Sequence, residues 1–181
     1  VLRHFDRGVL IAVVDGLGHG EEAAAAAGRA VREIEEHGDE EPIPLVRRCH
    51  RVLGGTRGVV MSVASINAAD DTMTWLGVGN VAGVLLHADP QASNPVLESL
   101  VQRGGVVGHD LPLLRGAIMT LVRGDVMAFA TDGIRPDFTA YLNASRSPHE
   151  MAEAVLKHCG KATDDALVLV ARYRGGGGSS P

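Results

Sequence analysis

Residues 9–20 read Val9-Leu10-Ile11-Ala12-Val13-Val14-Asp15-Gly16-Leu17-Gly18-His19-Gly20. The apolar run Val9–Val14 has strand length and carries no alternation, which predicts a strand buried on both faces. Asp15 then stands where that strand ends, and the glycines after it open a loop. Glu21 to His37 follows. It is rich in Ala, begins with two acids that suit the positive end of a helix dipole, and keeps its apolar residues on one side. The stretch predicts a helix ending near Gly38. Upstream, Asp6-Arg7-Gly8 is a hairpin-type turn.

Pro42 and Pro44 open a second helix running through Leu53, closed by Gly54-Gly55. Gly58–Ala68 and Thr72–Val78 are β-branched runs flanking the turn Asp70-Asp71. Ala82–His87 and Val96–Gln102 predict strands on either side of a polar loop, residues 90–95. Gly and Pro punctuate a loop from Gly104 to Arg115. Ala117–Arg123 and Asp125–Ala130 predict a hairpin about Gly124-Asp125. Pro148–His158 predicts a helix, Ala166–Tyr173 a closing strand and Gly175–Pro181 a flexible tail. Strands cluster in the middle and helices lie early and late, which is an α+β pattern with mostly antiparallel sheets.

A chain of 181 residues suits one domain, placed here at residues 1–174. Seventeen basic against twenty-two acidic residues give a net charge of −5, which excludes a general nucleic-acid binder. One Trp, two Tyr and three Phe leave no base-stacking platform. No apolar run approaches the ~18 residues of a membrane span. Cys49 and Cys159 form no CxxC, so they read as reduced, packed thiols of a cytoplasmic protein. His50 and His158 adjoin them, but neighbouring helix positions point apart. Among the seventeen basic residues only Lys157 and Lys161 are not Arg. Arg is the better bidentate partner for phosphate and carboxylate.

Three acidic positions stand at strand ends. Asp15 closes the first buried strand, Asp132 closes Val126–Thr131, and Asp164-Asp165 precede the last strand. Carboxylates gathered at one sheet rim repel each other unless a cation neutralises them. Mg²⁺ and Mn²⁺ prefer such oxygen ligands. Two of these ions sharing a bridging hydroxide suit hydrolysis at phosphorus. Asp70-Asp71 and Gly124-Asp125 read as plain turns. The glycine loop has a second reading, a phosphate cradle at a helix N-terminus. Against it, Gly16-x-Gly18-x-Gly20 misses the dinucleotide fingerprint by one residue, and the Lys of a P-loop is absent.

Asp15-Gly16-Leu17-Gly18-His19-Gly20 resembles the DGxGHG motif of the metal-dependent PPM serine/threonine phosphatases, in their SpoIIE-like branch. Leu76-Gly77-Val78-Gly79-Asn80 matches that family's central strand-loop motif. Ala130-Thr131-Asp132-Gly133-Ile134 matches its TDG motif, and Thr163-Asp164-Asp165-Ala166 its final acidic pair. The four occur in family order across nearly the whole chain. Within the branch, the lack of a sensor domain, the short segment between Asp132 and Asp164, and the loop from Arg103 to Pro112 resemble the small stand-alone stressosome phosphatases of the RsbX type.

The resemblance implies a four-layer αββα sandwich with two divalent cations, Mn²⁺ or Mg²⁺, between the sheets. It implies that Asp15 bridges both ions, that the Gly16 carbonyl binds one, and that Asp132 and Asp164 complete the set, with Asp165 as the alternative to Asp164. The implied reaction is in-line attack of a metal-activated water on phosphoserine or phosphothreonine, with His19 as general acid. Thr131 supports the Asp132 loop. The implied partners are phosphorylated STAS-domain stressosome proteins of the RsbS or RsbR kind. A pseudophosphatase that binds a partner without turnover is the alternative.

The loop 103–115 and segment 134–147 flank the motifs, which makes Arg103, Arg115 and Arg135 the candidates for substrate contact. Lack of a heptad seam favours a monomer. The sequence departs from the family pattern at two places. The Gly-Asp pair expected on a strand upstream of Asp6 is not in the sequence, nor is the upstream arginine that grips phosphate in some relatives, for which Arg3 is a substitute or else surface decoration. Asn80 stands where many relatives carry Asp or His.

Overall fold

The computed structural model describes residues 1–88 and 96–176. In chain order its elements are β1 (Leu2–Phe5), β2 (Gly8–Gly16), α1 (Glu21–His37), α2 (Pro42–Val52), β3 (Val59–Asn67), β4 (Thr72–Val78), β5 (Ala82–Leu86), β6 (Leu97–Ser99), β7 (Ala117–Thr120), β8 (Val126–Ala130), a 3-10 helix (Pro136–Tyr141), α3 (Pro148–Cys159) and β9 (Val168–Arg172). They form two compact units. The first comprises Val1–Val81 and Gln102–Thr120, the second Ala82–Val101 and the chain from Leu121 on.

The first unit holds a five-stranded sheet in the order β1-β2-β3-β4-β7, antiparallel at every pairing. All of β2 is paired with β3, from Gly8↔Asn67 to Gly16↔Val59. Alternate residues therefore face alternate sides. Leu10, Ala12, Met61, Val63, Leu76 and Val78 form one face and pack with Ala26, Ala30 and Ile34 of α1 and Leu45, Val46 and Cys49 of α2. Ile11, Val13, Ala64, Ile66, Met73 and Trp75 form the other face and are also buried. This is the two-faced burial that the unbroken apolar run of β2 predicts.

The second unit holds a four-stranded antiparallel sheet in the order β6-β5-β8-β9. Val84, Leu86, Val126, Ala128 and Ala130 pack with Met151, Val155 and Cys159 of α3 and Phe138 of the 3-10 helix. The start of α3 is fixed by a capping box. The Ser147 hydroxyl accepts the Glu150 N–H, the Glu150 carboxylate accepts the Ser147 N–H, and Pro148 follows the cap. Two mostly antiparallel sheets, each flanked by helices, are the elements of the αββα arrangement. Among the described residues no helix is long and apolar enough to cross a membrane.

The expected hairpin about Gly124-Asp125 does not form. β7 pairs with β4, from Trp75↔Ala117 to Thr72↔Thr120, whereas β8 pairs with β5 and β9. The intervening turn closes on other partners. Gly124 N–H donates to Tyr173 O and Tyr173 N–H to Asp125 O, both at 2.8 Å. The Asp125 carboxylate is fully buried and accepts the N–H groups of Ala88 at 2.7 Å and Val122 at 2.9 Å. It therefore serves as the hub of a crossover rather than the tip of a hairpin.

Two further expectations shift and a third falls outside the described residues. The strand expected over Val96–Gln102 narrows to β6, because past Leu100, which bonds Gly83 O, the chain leaves that ladder and Arg103 bridges Val78. A strand does precede the Asp6 turn, β1, reading Leu2-Arg3-His4-Phe5 without a Gly-Asp pair. The expected loop 90–95 lies outside the described residues, as does the tail beyond Gly176.

Candidate functional site

Asp15 is the penultimate residue of β2, half-buried, opposite Val60 on the face shared with Ile11 and Val13. Gly16 allows the chain to turn tightly into α1. A Cβ built there would lie 2.2 Å from the carbonyl oxygen of Ala23, in the first turn of the helix. Leu17 N–H extends the ladder to Gly58 O at 3.1 Å. The helix then starts on Gly20, at φ 84, with no side-chain cap, and Glu21 and Glu22 supply charge to its dipole. His19 is exposed within this loop.

Asp132 follows β8 by two positions, and Asp164-Asp165 lie just before β9. The antiparallel pair Ala130↔Val168 brings both loops to one end of these strands. Thr131 joins them, as expected of a supporting residue. Its N–H donates to Leu167 O at 3.1 Å, and its hydroxyl oxygen accepts the Leu167 N–H at 3.0 Å. Gly133 packs still closer, since a Cβ there would lie 2.0 Å from Asp165 O. Asp164 Oδ1 accepts the N–H of Asp165 at 3.0 Å, which folds the acidic pair into its own turn.

The structure thus gathers Asp132 and Asp164-Asp165 in the second unit, while Asp15, Gly16 and His19 belong to the first. The assigned donors are carboxylate and carbonyl oxygens only, a set that fits hard divalent cations. Among the described residues, one group of three metal-competent side chains clusters within 4.8 Å, Glu33, Glu36 and His37. It lies toward the far end of α1, about three turns from the glycine loop. Glu33 is already met by Arg48 at 3.8 Å and His37 at 3.6 Å, so a cation is not needed to balance it.

The arginine candidates differ in their commitments. Arg135 forks onto Asp137, with Nε and Nη2 each 3.2 Å from a carboxylate oxygen. That contact raises the guanidinium's pKa and lowers the carboxyl's. Arg103 is half-buried and its backbone bonds Gly77 and Gly79. Arg115 is exposed. Arg3 donates to Glu35 O and His4 O, pairs with Leu10, and lies some five residues, ~16 Å, along the strands from the Asp15 level. It ties β1 to the end of α1 and is not a phosphate contact at the Asp15 end.

Several residues that no motif singled out shape these loops. Lys161 Nζ donates to Asp132 O at 2.5 Å, and its backbone N–H donates to Gly133 O at 2.8 Å. Arg57 Nε meets Glu22 at 2.6 Å beside Gly18. His50 Nδ1 accepts the Gly108 N–H at 3.0 Å and anchors the 103–115 loop, which also bridges β3 through Val59↔Val107. Cys49 is buried, and loss of hydration pushes its thiol up to about 12, so it is an inert packing group. Burial likewise raises Cys159.

Residues 6–174 match the family described as Stage II sporulation protein E (SpoIIE). Phosphoserine phosphatase RsbX of Bacillus subtilis (strain 168) is 24% identical over 166 residues, covering 91% of this chain and 81% of that protein. Among solved structures, a chain from a study of the bacterial stressosome as a modular system adapted to control secondary messenger signalling gives a TM-score of 0.84. It is 27% identical, over 95% of this chain and 88% of that chain. RsbX in complex with magnesium gives 0.81 at 24% identity, over 93% of this chain and 82% of that one.

Proposed function

We propose, from the premise that the chain belongs to the SpoIIE family, that it is a metal-dependent phosphoprotein phosphatase acting on phosphoserine or phosphothreonine. The observation that carries the reading is the pair of Asp-Gly junctions, Asp15-Gly16 and Asp132-Gly133. In each, an acid ends or follows a strand and its glycine packs on a backbone carbonyl that no side chain would tolerate. Gly8, in the turn between β1 and β2, packs as closely on Ile66 O, so what sets these two junctions apart is the strand-end aspartate that precedes each glycine, together with the family match.

The proposed cation donors are Asp15, the Gly16 carbonyl, Asp132 and Asp164, with Asp165 as the alternative to Asp164. Bound divalent cations, Mn²⁺ or Mg²⁺ and two in number, would lower the pKa of a shared water and neutralise phosphoryl oxygens. The chain's own residues do the rest. Thr131 and Lys161 hold the Asp132 loop in place. His19 is the side chain proposed to give a proton to the leaving serine or threonine oxygen, since imidazole exchanges protons near neutral pH. Arg103 and Arg115 are the proposed substrate contacts, and Arg135 could join them only by releasing Asp137.

The proposed substrates are phosphorylated STAS-domain proteins of the stressosome, of the RsbS or RsbR kind. The likeness to RsbX and to the stressosome chain supports this. The test is phosphate release from such phosphoproteins with Mn²⁺, with Mg²⁺ and with neither. Release that requires the metal is expected. No release from any of them by folded protein whose melting temperature Mn²⁺ raises would overturn the substrate assignment.

A further inference from the structure

Beside the glycine loop the first unit contains a cavity of about 670 Å³. Leu17 and Gly18 line it on one side, the first turns of α1 supply an alanine floor with Arg29 and Glu22, and Arg57 and His109 complete it. Arg29 and Arg57 outnumber Glu22, so this pocket is cationic on a chain whose net charge is −5. Its two arginines are exposed and come from two separate segments, Arg29 from α1 and Arg57 from the turn before β3. The free chain already places a carboxylate on one of them: Glu22 lies 2.6 Å from Arg57 Nε. That contact is an internal example of the ligand chemistry the pocket accepts.

We infer that this pocket docks an acidic side chain of the substrate protein, close in sequence to its phosphorylated residue. The inference rests on the phosphatase reading above. Leu17 follows Asp15 by two residues, a reach of no more than ~7 Å. An extended peptide advances ~3.4 Å per residue. An acid two to four residues from a phosphoserine held at Asp15 spans ~7–14 Å, enough to pass the end of β2 and reach the pocket's Leu17 side, where Arg57 stands against Gly18. Leu17, 41% exposed, offers the apolar wall against which the methylenes of a glutamate can lie. Glu22 competes for Arg57 until the incoming carboxylate displaces it.

The test uses the intact chain and three synthetic phosphoserine peptides with Glu, Gln or Lys at positions two to four residues from the phosphoserine on both sides. Binding is read by fluorescence anisotropy and phosphate release is read with Mn²⁺. The Glu peptide is expected to bind and turn over roughly fivefold better than the Gln peptide, and the Lys peptide worst. Arg29→Glu with Arg57→Glu is expected to reverse that order, and Glu22→Gln to tighten binding of the Glu peptide. Arg29→Gln alone, at an exposed helix position, keeps the test readable if the double variant does not fold; it should shrink the preference for Glu. Phosphate release without any order among the peptides, or a preference for Glu that survives both arginine variants, overturns the docking pocket and spares the phosphatase reading. Ordered binding with no release from any peptide does the opposite. No binding of any peptide overturns both.

Discussion

Gly16 and Gly133 each follow an aspartate, and a Cβ on either would collide with a backbone carbonyl, Ala23 O at 2.2 Å and Asp165 O at 2.0 Å. The first contact is local, made across one loop to the helix that follows. The second joins loops far apart in sequence, and it depends on β8 lying beside β9. The nearby helices differ as well. α1, which leaves the glycine loop, starts on Gly20 with no side-chain cap, whereas α3 starts on a complete capping box. α1 thus gives up a capping interaction where the Asp15 loop needs glycine, and α3 keeps one where no motif residue competes for the position.

The largest expected effect is at the acids themselves. Asp15→Ala should lower phosphatase activity by more than about 100-fold while the fold, read by circular dichroism, is retained. Next come the two junction glycines. Gly133→Ala forces a methyl into Asp165 O, in a loop that the β8–β9 pairing brings alongside, and should cost about 3 kcal/mol in denaturant titration. Gly16→Ala meets a carbonyl in the first turn of a helix, which can fray, and should cost about 2 kcal/mol or less by the same measurement. Equal costs would break the distinction between local and non-local contacts.

Asp125→Ala is expected to cost about 2 kcal/mol, because two part-buried N–H groups lose their acceptor. Ser147→Ala should cost about 1 kcal/mol as a lost N-cap. The smallest effect is one of pH. Bonds from the Ser147 N–H and hydroxyl hold the Glu150 carboxyl below the usual carboxylate range. A depressed folded value contributes stability above the unfolded pKa and loses it as pH falls through the folded one. The advantage of the native chain over Glu150→Gln should therefore be full at neutral pH and vanish in acid, as thermal melts across that range would show.

The local junction was the legible one. Val9–Val14 carries its strand in an unbroken apolar run, and the helix that follows has its acids at the start and Gly38 at the end, so the expected bounds Glu21–His37 match α1. The Gly124-Asp125 signal predicts a hairpin that does not form, because a turn signal states where a chain bends and not which strands it joins. Those partners, Trp75 for Ala117 and Val168 for Ala130, are set by sheet assembly. At the candidate site, the aspartates stood out as acids at the ends of apolar runs. Arg57 and Lys161 did not, because their contacts span 35 and 29 residues and leave no periodic trace. Nor could a sequence show that Asp125, in an ordinary turn dipeptide, is fully buried.

Asp15 in the first unit and Asp132 in the second are each proposed to serve metal-dependent hydrolysis. The most direct test is the rate of phosphate release from p-nitrophenyl phosphate by the intact chain and by Asp15→Ala and Asp132→Ala, each with Mn²⁺ and after chelation. Release by the native chain is expected to be abolished by chelation and reduced to background by either substitution alone. Release that survives chelation, or that survives either substitution, would contradict the proposal.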